Sequence, residues 1–138
     1  TLADLDEQIS QSGLLFRSDI PDEPVYIMSD GKKLYRVFLN LVCNALKYSL
    51  AGSRVYISLD VEKDNKAVAA IKNIANYEMN FNEDEILERF VRGDKSRTTE
   101  GSGLGLAIAH SFMQVCGGSM DIKVDGDLFK VLLEFNLQ

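Results

Sequence analysis

The chain has 138 residues, enough for one domain with a single buried core. With 46% apolar and 26% charged residues and only 2 Pro, its composition excludes a disordered or collagen-like chain. A formal net charge of −6 excludes a general electrostatic pull toward nucleic acid or an anionic membrane, so any anionic ligand must be held by local groups.

The first predicted elements lie in residues 13–28, GLLFRSDIPDEPVYIM, where Pro21 and Pro24 separate two short apolar stretches, as expected for two strands and a turn. Asp30 is placed to cap a helix. Leu34, Val37, Phe38, Leu41, Val42 and Ala45 then recur at the spacing of a buried helical stripe, predicting a helix to about Tyr48. RVYISLDVE and KAVAAIKNI, separated by Lys63, Asp64 and Asn65, read as adjacent antiparallel strands. Residues 75–103 are polar and irregular apart from a short EDEILERF helix, and they end in TTEGSG, which predicts a mobile loop.

Leu104, Ile108, Ser111, Phe112 and Val115 mark the expected core side of a second long helix, ended by Gly117 and Gly118. MDIKVD and LFKVLLEF flank Gly126 and close the chain as a hairpin. Helices segregated from mainly antiparallel strands predict one domain over residues 1–138, of the α+β class, built as a two-layer α/β sandwich.

No apolar run approaches the ~20 residues that cross a bilayer, and TLADLDEQ lacks the basic-then-apolar order of a signal peptide. A cytoplasmic location is expected, and it is compatible with the cytoplasmic part of a membrane sensor. Thr1 in place of an initiator Met is expected of an excised segment. Cys43 and Cys116 have neither metal-ligand nor disulfide-framework spacing and fall in apolar helical stretches, so buried reduced thiols are expected.

Two features carry chemistry. Asn40, Asn44, Lys47 and Tyr48 share a helix face beside the core stripe. A carboxamide oxygen is a hard ligand suited to Mg²⁺, and a lysine one turn later can meet phosphate. Taken alone, this stripe reads as a solvated helix face. The second feature is GSGLGL, residues 101–106, a glycine-rich turn feeding a helix. Free N–H groups at a helix start favour a bound anion, and glycines let the backbone approach it closely. The turn lacks the Lys-Ser/Thr ending of a P-loop.

LYRVFLNLVCNALKYS resembles the asparagine box of bacterial sensor histidine kinases. ERFVRGDKSR is similar to their phenylalanine box and the start of their ATP lid, and GSGLGLAIAHSFMQVCGG to their second glycine box and following helix. The three motifs match in order and, with the strand pattern, account for most of the chain. Gyrase, heat-shock and mismatch-repair ATPases of the same superfamily resemble it less well across the phenylalanine box.

The resemblance implies a mixed, mainly antiparallel sheet covered on one face by helices (the Bergerat ATPase fold) and binding of ATP with Mg²⁺. By position it makes Asn44 the magnesium ligand, Asn40 the polar residue one turn before it, Lys47 the phosphate-contacting lysine and Tyr48 the aromatic near adenine. Arg92, Lys95 and Arg97 fall where lid cations approach the phosphates, and Gly101, Gly103, Leu104 and Gly105 where the glycine turn meets them. Phe90 is then an apolar anchor for the lid.

One motif departs from the family pattern. Where the first glycine box reads Asp-x-Gly-x-Gly, this chain has Asn73-Ile74-Ala75-Asn76-Tyr77. Asn73 stands in for the aspartate that accepts from the adenine amino group, and both glycines are gone. An asparagine oxygen still accepts such a bond, at a cost of about 1 kcal/mol relative to a charged acceptor. Asn76 is the alternative acceptor.

His110, the one histidine, follows the glycine turn, where the family has no phosphoacceptor, and is given no catalytic role. The accepting histidine is implied on a separate dimerisation domain, absent from these residues, in a homodimeric kinase that passes the phosphoryl group to a response regulator. This domain itself is expected to contact neither nucleic acid nor membrane. Two other readings stand beside this one: a degenerate nucleotide-binding or interaction module, and a serine kinase of the anti-sigma-factor kind.

Overall fold

A computed structural model of the chain describes residues 5–23, 29–62, 65–76 and 104–137. In chain order its elements are α1 (Asp6–Ser12), β1 (Leu15–Asp19), α2 (Gly31–Tyr48), β2 (Arg54–Glu62), β3 (Lys66–Ile74), α3 (Leu104–Val115), β4 (Ser119–Asp125) and β5 (Leu128–Asn136). The second strand expected in residues 24–28, the EDEILERF helix and Phe90 lie outside the described residues.

The start of α2 follows from its cap. The Asp30 carboxylate accepts from the backbone N–H groups of Lys32 and Lys33 at 3.0 and 3.2 Å, satisfying two of the donors that a helix start leaves unpaired. Those bonds, the one from the Lys33 backbone foremost, hold the Asp30 carboxyl below its usual range. The helix runs to Tyr48, as its periodicity predicts, and buries Val37, Leu41, Val42 and Ala45.

The sheet has five strands in the order β1-β2-β3-β5-β4. β1 runs parallel to β2, and every other neighbouring pair is antiparallel. Strand alternation sends Val55 of β2, Ala67, Ala69, Ile71 and Asn73 of β3, Ile122 of β4, and Phe129, Val131, Leu133 and Phe135 of β5 to one buried face. The helices cover that face, and the Phe38 ring stacks on Phe135 with centroids 6.4 Å apart. Val37, Val55, Met113, Ile122 and Leu133 are fully buried, each such side chain contributing about 1.5–3 kcal/mol of transfer free energy. The result is the two-layer α+β architecture expected from the element order.

Three expectations need correction. First, α1 was not anticipated. It has only seven residues, buries none of them, and is closed by Gly13 in the left-handed conformation at φ 75°.

Second, α3 turns a different side to the core. Leu106, Ala109 and Met113 are buried, whereas Ser111 is exposed, Val115 is 64% exposed and Ile108 and Phe112 are only half-buried. Ile108 and Val115 sit two residues beyond Leu106 and Met113, about 200° around the helix. The sequence LGLAIAHSFMQV is apolar nearly all round, so spacing could not select the inward side.

Third, Cys43 is exposed and Cys116 half-buried, so neither is a core thiol. Cys43 lies on the outer side of α2, just past the buried pair Leu41 and Val42. Partial desolvation at the helix surface still raises its thiol above the ordinary value.

Gly117 and Gly118 end α3 as a Schellman motif. The Gly118 N–H donates to the Met113 carbonyl at 2.9 Å and the Gly117 N–H to that of Gln114 at 3.1 Å, with Gly117 at φ 78°.

Candidate functional site

The asparagine-bearing flank of α2 is brought to the end of β3 by a set of backbone bonds. The Leu50 N–H donates to the Ile74 carbonyl at 2.7 Å, and the Asn76 N–H donates to the Tyr48 carbonyl at 2.8 Å. Ser49 and Ala75 form an antiparallel bridge between them. The Ala75 N–H donates to the Asp127 carbonyl at 2.8 Å, adding the β4–β5 turn to the same junction. Ser49 is itself buried, with its hydroxyl donating to the Ala45 carbonyl. Buried backbone groups need such partners, and here satisfying them locks the last turn of α2 against the strand end.

Along α2, Asn40, Asn44 and Tyr48 are half-buried at i, i+4 and i+8, on the flank of the stripe made by Val37, Leu41 and Ala45. Lys47 is exposed, with its Nζ 5.6 Å from the centre of the Tyr48 ring. The Asn40 Nδ2 is buried without a hydrogen-bond partner among the described residues. An orphaned buried donor is costly, and a polar ligand on this flank would relieve it.

The two asparagines of the altered loop separate clearly. Asn73 is 3% exposed and lies on the helix-covered face of β3, continuing the row of Ala69 and Ile71. Asn76 is exposed, and its Nδ2 donates to the Lys47 carbonyl at 3.4 Å. The junction therefore sets Lys47 and Tyr48 next to the end of the strand that carries Asn73, with Asn44 and Asn40 one and two turns back along α2. Leu104 and Gly105 are the first residues of α3, which packs beside α2. Arg92, Lys95, Arg97, Gly101 and Gly103 lie outside the described residues.

Compared with known proteins, residues 29–137 match the family described as histidine kinase-, DNA gyrase B- and HSP90-like ATPases. The chain belongs to this ATPase family. The matched span starts beside the Asp30 cap and ends with β5, so it takes in the whole of the junction just described.

Among relatives of this ATPase domain, the sensor histidine kinase WalK of Bacillus subtilis (strain 168) is 33% identical over 117 residues, covering 83% of this chain and 19% of WalK. The chain thus spans about a fifth of that relative. Among solved structures, a nucleotide-free catalytic domain of histidine kinase ThkA superposes with a TM-score of 0.82 at 19% identity, covering 99% of this chain and 87% of that one. Full-length ShkA in complex with AMPPNP superposes with a TM-score of 0.76 at 20% identity, covering 98% of this chain and 28% of that one. At these identities the two structures show a shared fold.

Sequence reasoning named candidate side chains along α2 and β3 but missed the junction that ties these two elements together. Ser49, Ala75 and Asp127 act there mainly through backbone groups, which leave no signature in residue type. His110 is half-buried in the middle of α3, and the junction does not involve it.

Proposed function

We propose that this domain binds ATP with Mg²⁺ and, in its parent protein, supplies the γ-phosphoryl group to a histidine on a dimerisation domain. The observation that carries this reading is the half-buried flank of Asn40, Asn44 and Tyr48, whose C-terminal end is tied to the end of the strand bearing buried Asn73, with the Asn40 Nδ2 unsatisfied among the described residues. A chain of net charge −6 gains nothing from its overall field when it binds a polyphosphate, so local groups have to do it.

The donor set suits the pair of ligands. Asn44 offers a hard carboxamide oxygen of the kind that holds Mg²⁺, which would neutralise phosphate charge when bound, and Asn40, one turn before it, has an Nδ2 that could donate to a phosphate oxygen. Lys47 adds a point charge for a phosphate oxygen. Asn73, dry and on the inner face, would accept from the adenine amino group, and Tyr48 offers an aromatic surface beside it.

Arg92, Lys95 and Arg97 would close over the phosphates. The backbone N–H groups of Gly101, Gly103, Leu104 and Gly105 would meet them at the start of α3. In the transfer, the bond from the γ-phosphorus to the β–γ bridging oxygen breaks, a bond to the acceptor imidazole nitrogen forms, and ADP leaves. Catalysis by this domain is positioning and charge stabilisation, with no nucleophile of its own.

Relatives named as sensor histidine kinases, with WalK among them, support histidine as the acceptor over serine. A homodimeric parent, a response regulator downstream and a cytoplasmic location belong to the same proposal. Calorimetric titration with a non-hydrolysable ATP analogue, with and without Mg²⁺, tests the reading on wild type, Asn44→Ala and Asn73→Ala. Magnesium-dependent binding lost in both variants is the expected result. No binding by wild type at millimolar analogue would favour a degenerate module.

A further inference from the structure

The face of the sheet turned away from the helices carries a line of cations that no single stretch of sequence reveals. Register places Arg17 of β1 opposite Tyr56 of β2, Tyr56 opposite Lys72 of β3, Lys72 opposite Lys130 of β5, and Lys130 opposite Lys123 of β4. One residue along, Ile57, Ile71, Val131 and Ile122 form the matching row on the helix-covered side. At ~4.8 Å per strand, the row crosses about 19 Å of the open face.

Folding alone gives no reason for this row. Lys72 and Lys130 are directly opposite each other, as are Lys130 and Lys123, and like charges in such cross-strand pairs are destabilising. Lysines often protect edge strands from pairing, but β3 and β5 are interior. Among the described residues, the ion pairs of this face are Lys66–Glu134 and Lys123–Asp121, which leave out Arg17, Lys72 and Lys130. Lys72 lies over the Tyr56 ring, 5.7 Å from its centre, and Tyr56 is 42% exposed. At the β1 end, Arg17, Arg54, Tyr56, Ser58 and Lys72 line a groove of about 460 Å³.

We propose that this face docks an acidic segment of a partner protein, seated along Arg17, Tyr56, Lys72, Lys130 and Lys123. The pattern beside the row selects a polypeptide. Asp19, Ser58, Ala70, Leu132 and Asp121 form the neighbouring row on one side, and Asp125 stands opposite Leu128 on the other. A nucleic-acid backbone or an anionic bilayer is negative throughout and would meet those aspartates, against a net charge of −6. A polypeptide spaces its carboxylates between neutral and apolar residues. It can therefore fit a single file of cations bordered by Ala70, Leu132 and carboxylates.

The test is an NMR titration of the isotope-labelled 138-residue chain with a peptide of alternating Glu and Ala, run beside sodium tripolyphosphate, duplex DNA and phosphatidylglycerol vesicles. Saturable shifts centred on the amides of Tyr56, Lys72, Lys130 and Lys123 are expected for the peptide. They should weaken about tenfold in a Lys72→Glu/Lys130→Glu variant and also at high salt. A Lys72→Gln/Lys130→Gln variant should weaken binding while melting no lower than wild type, which separates lost charge from lost fold. Absence of shifts on this face overturns the proposal. So does equal binding of tripolyphosphate or DNA at matched charge, and so does a response to vesicles alone. ATP-analogue binding should be unchanged in both variants, so failure here and failure of the nucleotide reading are distinguishable.

Discussion

The backbone N–H of Asn76 donates to the carbonyl of Tyr48 at 2.8 Å, across the point where β3 leaves the sheet and α2 ends. This bond holds the asparagine flank of the helix against the strand end that carries Asn73. Removing the donor with Asn76→Pro is expected to cost about 1 kcal/mol of stability and to weaken ATP-analogue binding. Asn76→Ala, which keeps the N–H and gives up only the long 3.4 Å side-chain bond to Lys47, should do neither. Chemical denaturation and calorimetry on both variants read the two effects.

At Asn73 the direction of change depends on ligand. Asn73→Asp puts a carboxylate at a position 3% exposed, so the free domain should be less stable. If Asn73 accepts from adenine, the same change should tighten ATP-analogue binding several-fold, about 1 kcal/mol for a charged over a neutral acceptor. The analogue should therefore raise the melting temperature of the Asp variant by more than it raises that of wild type. Weakened binding in the Asp variant would argue against an adenine contact here.

Gly118 has no room for a side chain. A Cβ there would stand 2.5 Å from the Glu134 carbonyl oxygen and 2.7 Å from the end of Met113. Because the oxygen belongs to the β5 backbone, relaxation must move a strand or the helix end. Gly118→Ala is expected to destabilise by about 1–3 kcal/mol, the range for overpacking. The urea midpoint measures it, and a neutral outcome would mean that the α3–β4 corner shifts freely.

Acid sensitivity should appear at the α2 cap. The Asp30 carboxyl titrates lower in the folded chain than its unfolded value of 3.8, chiefly because it accepts from Lys33. Its stabilising contribution is therefore complete above the unfolded value and disappears as pH falls through the lowered one. Asp30→Ala should lower the melting temperature at neutral pH, and the gap to wild type should close on acidification. Thermal unfolding followed by circular dichroism at several pH values checks this.

Much of the fold was legible because local signals agreed with one another. Asp30 before a clean apolar stripe fixed the start and inward side of α2, and β-rich runs around Asn65 and Gly126 marked the two hairpins. The asparagine flank could be read for the same reason: its residues are spaced along one helix, so their neighbourhood is set by the helical repeat alone.

Other features depended on residues distant in the chain. α3 is apolar on nearly every side, and only the sheet beneath it selects Leu106, Ala109 and Met113 over Ile108 and Val115. In one dimension Asn76 stands as the alternative to Asn73; strand parity buries Asn73 on the helix-covered face, whereas Asn76 is exposed. The file of Arg17, Tyr56, Lys72, Lys130 and Lys123 exists only through the register of five strands. The sequence by itself determined α2, α3 and the two hairpins, the family resemblance and the local placement of the asparagine flank, since those follow from periodicity and short motifs. Tertiary structure decided which sides are buried and which distant charges line up, because burial and register are properties of packed pairs of elements.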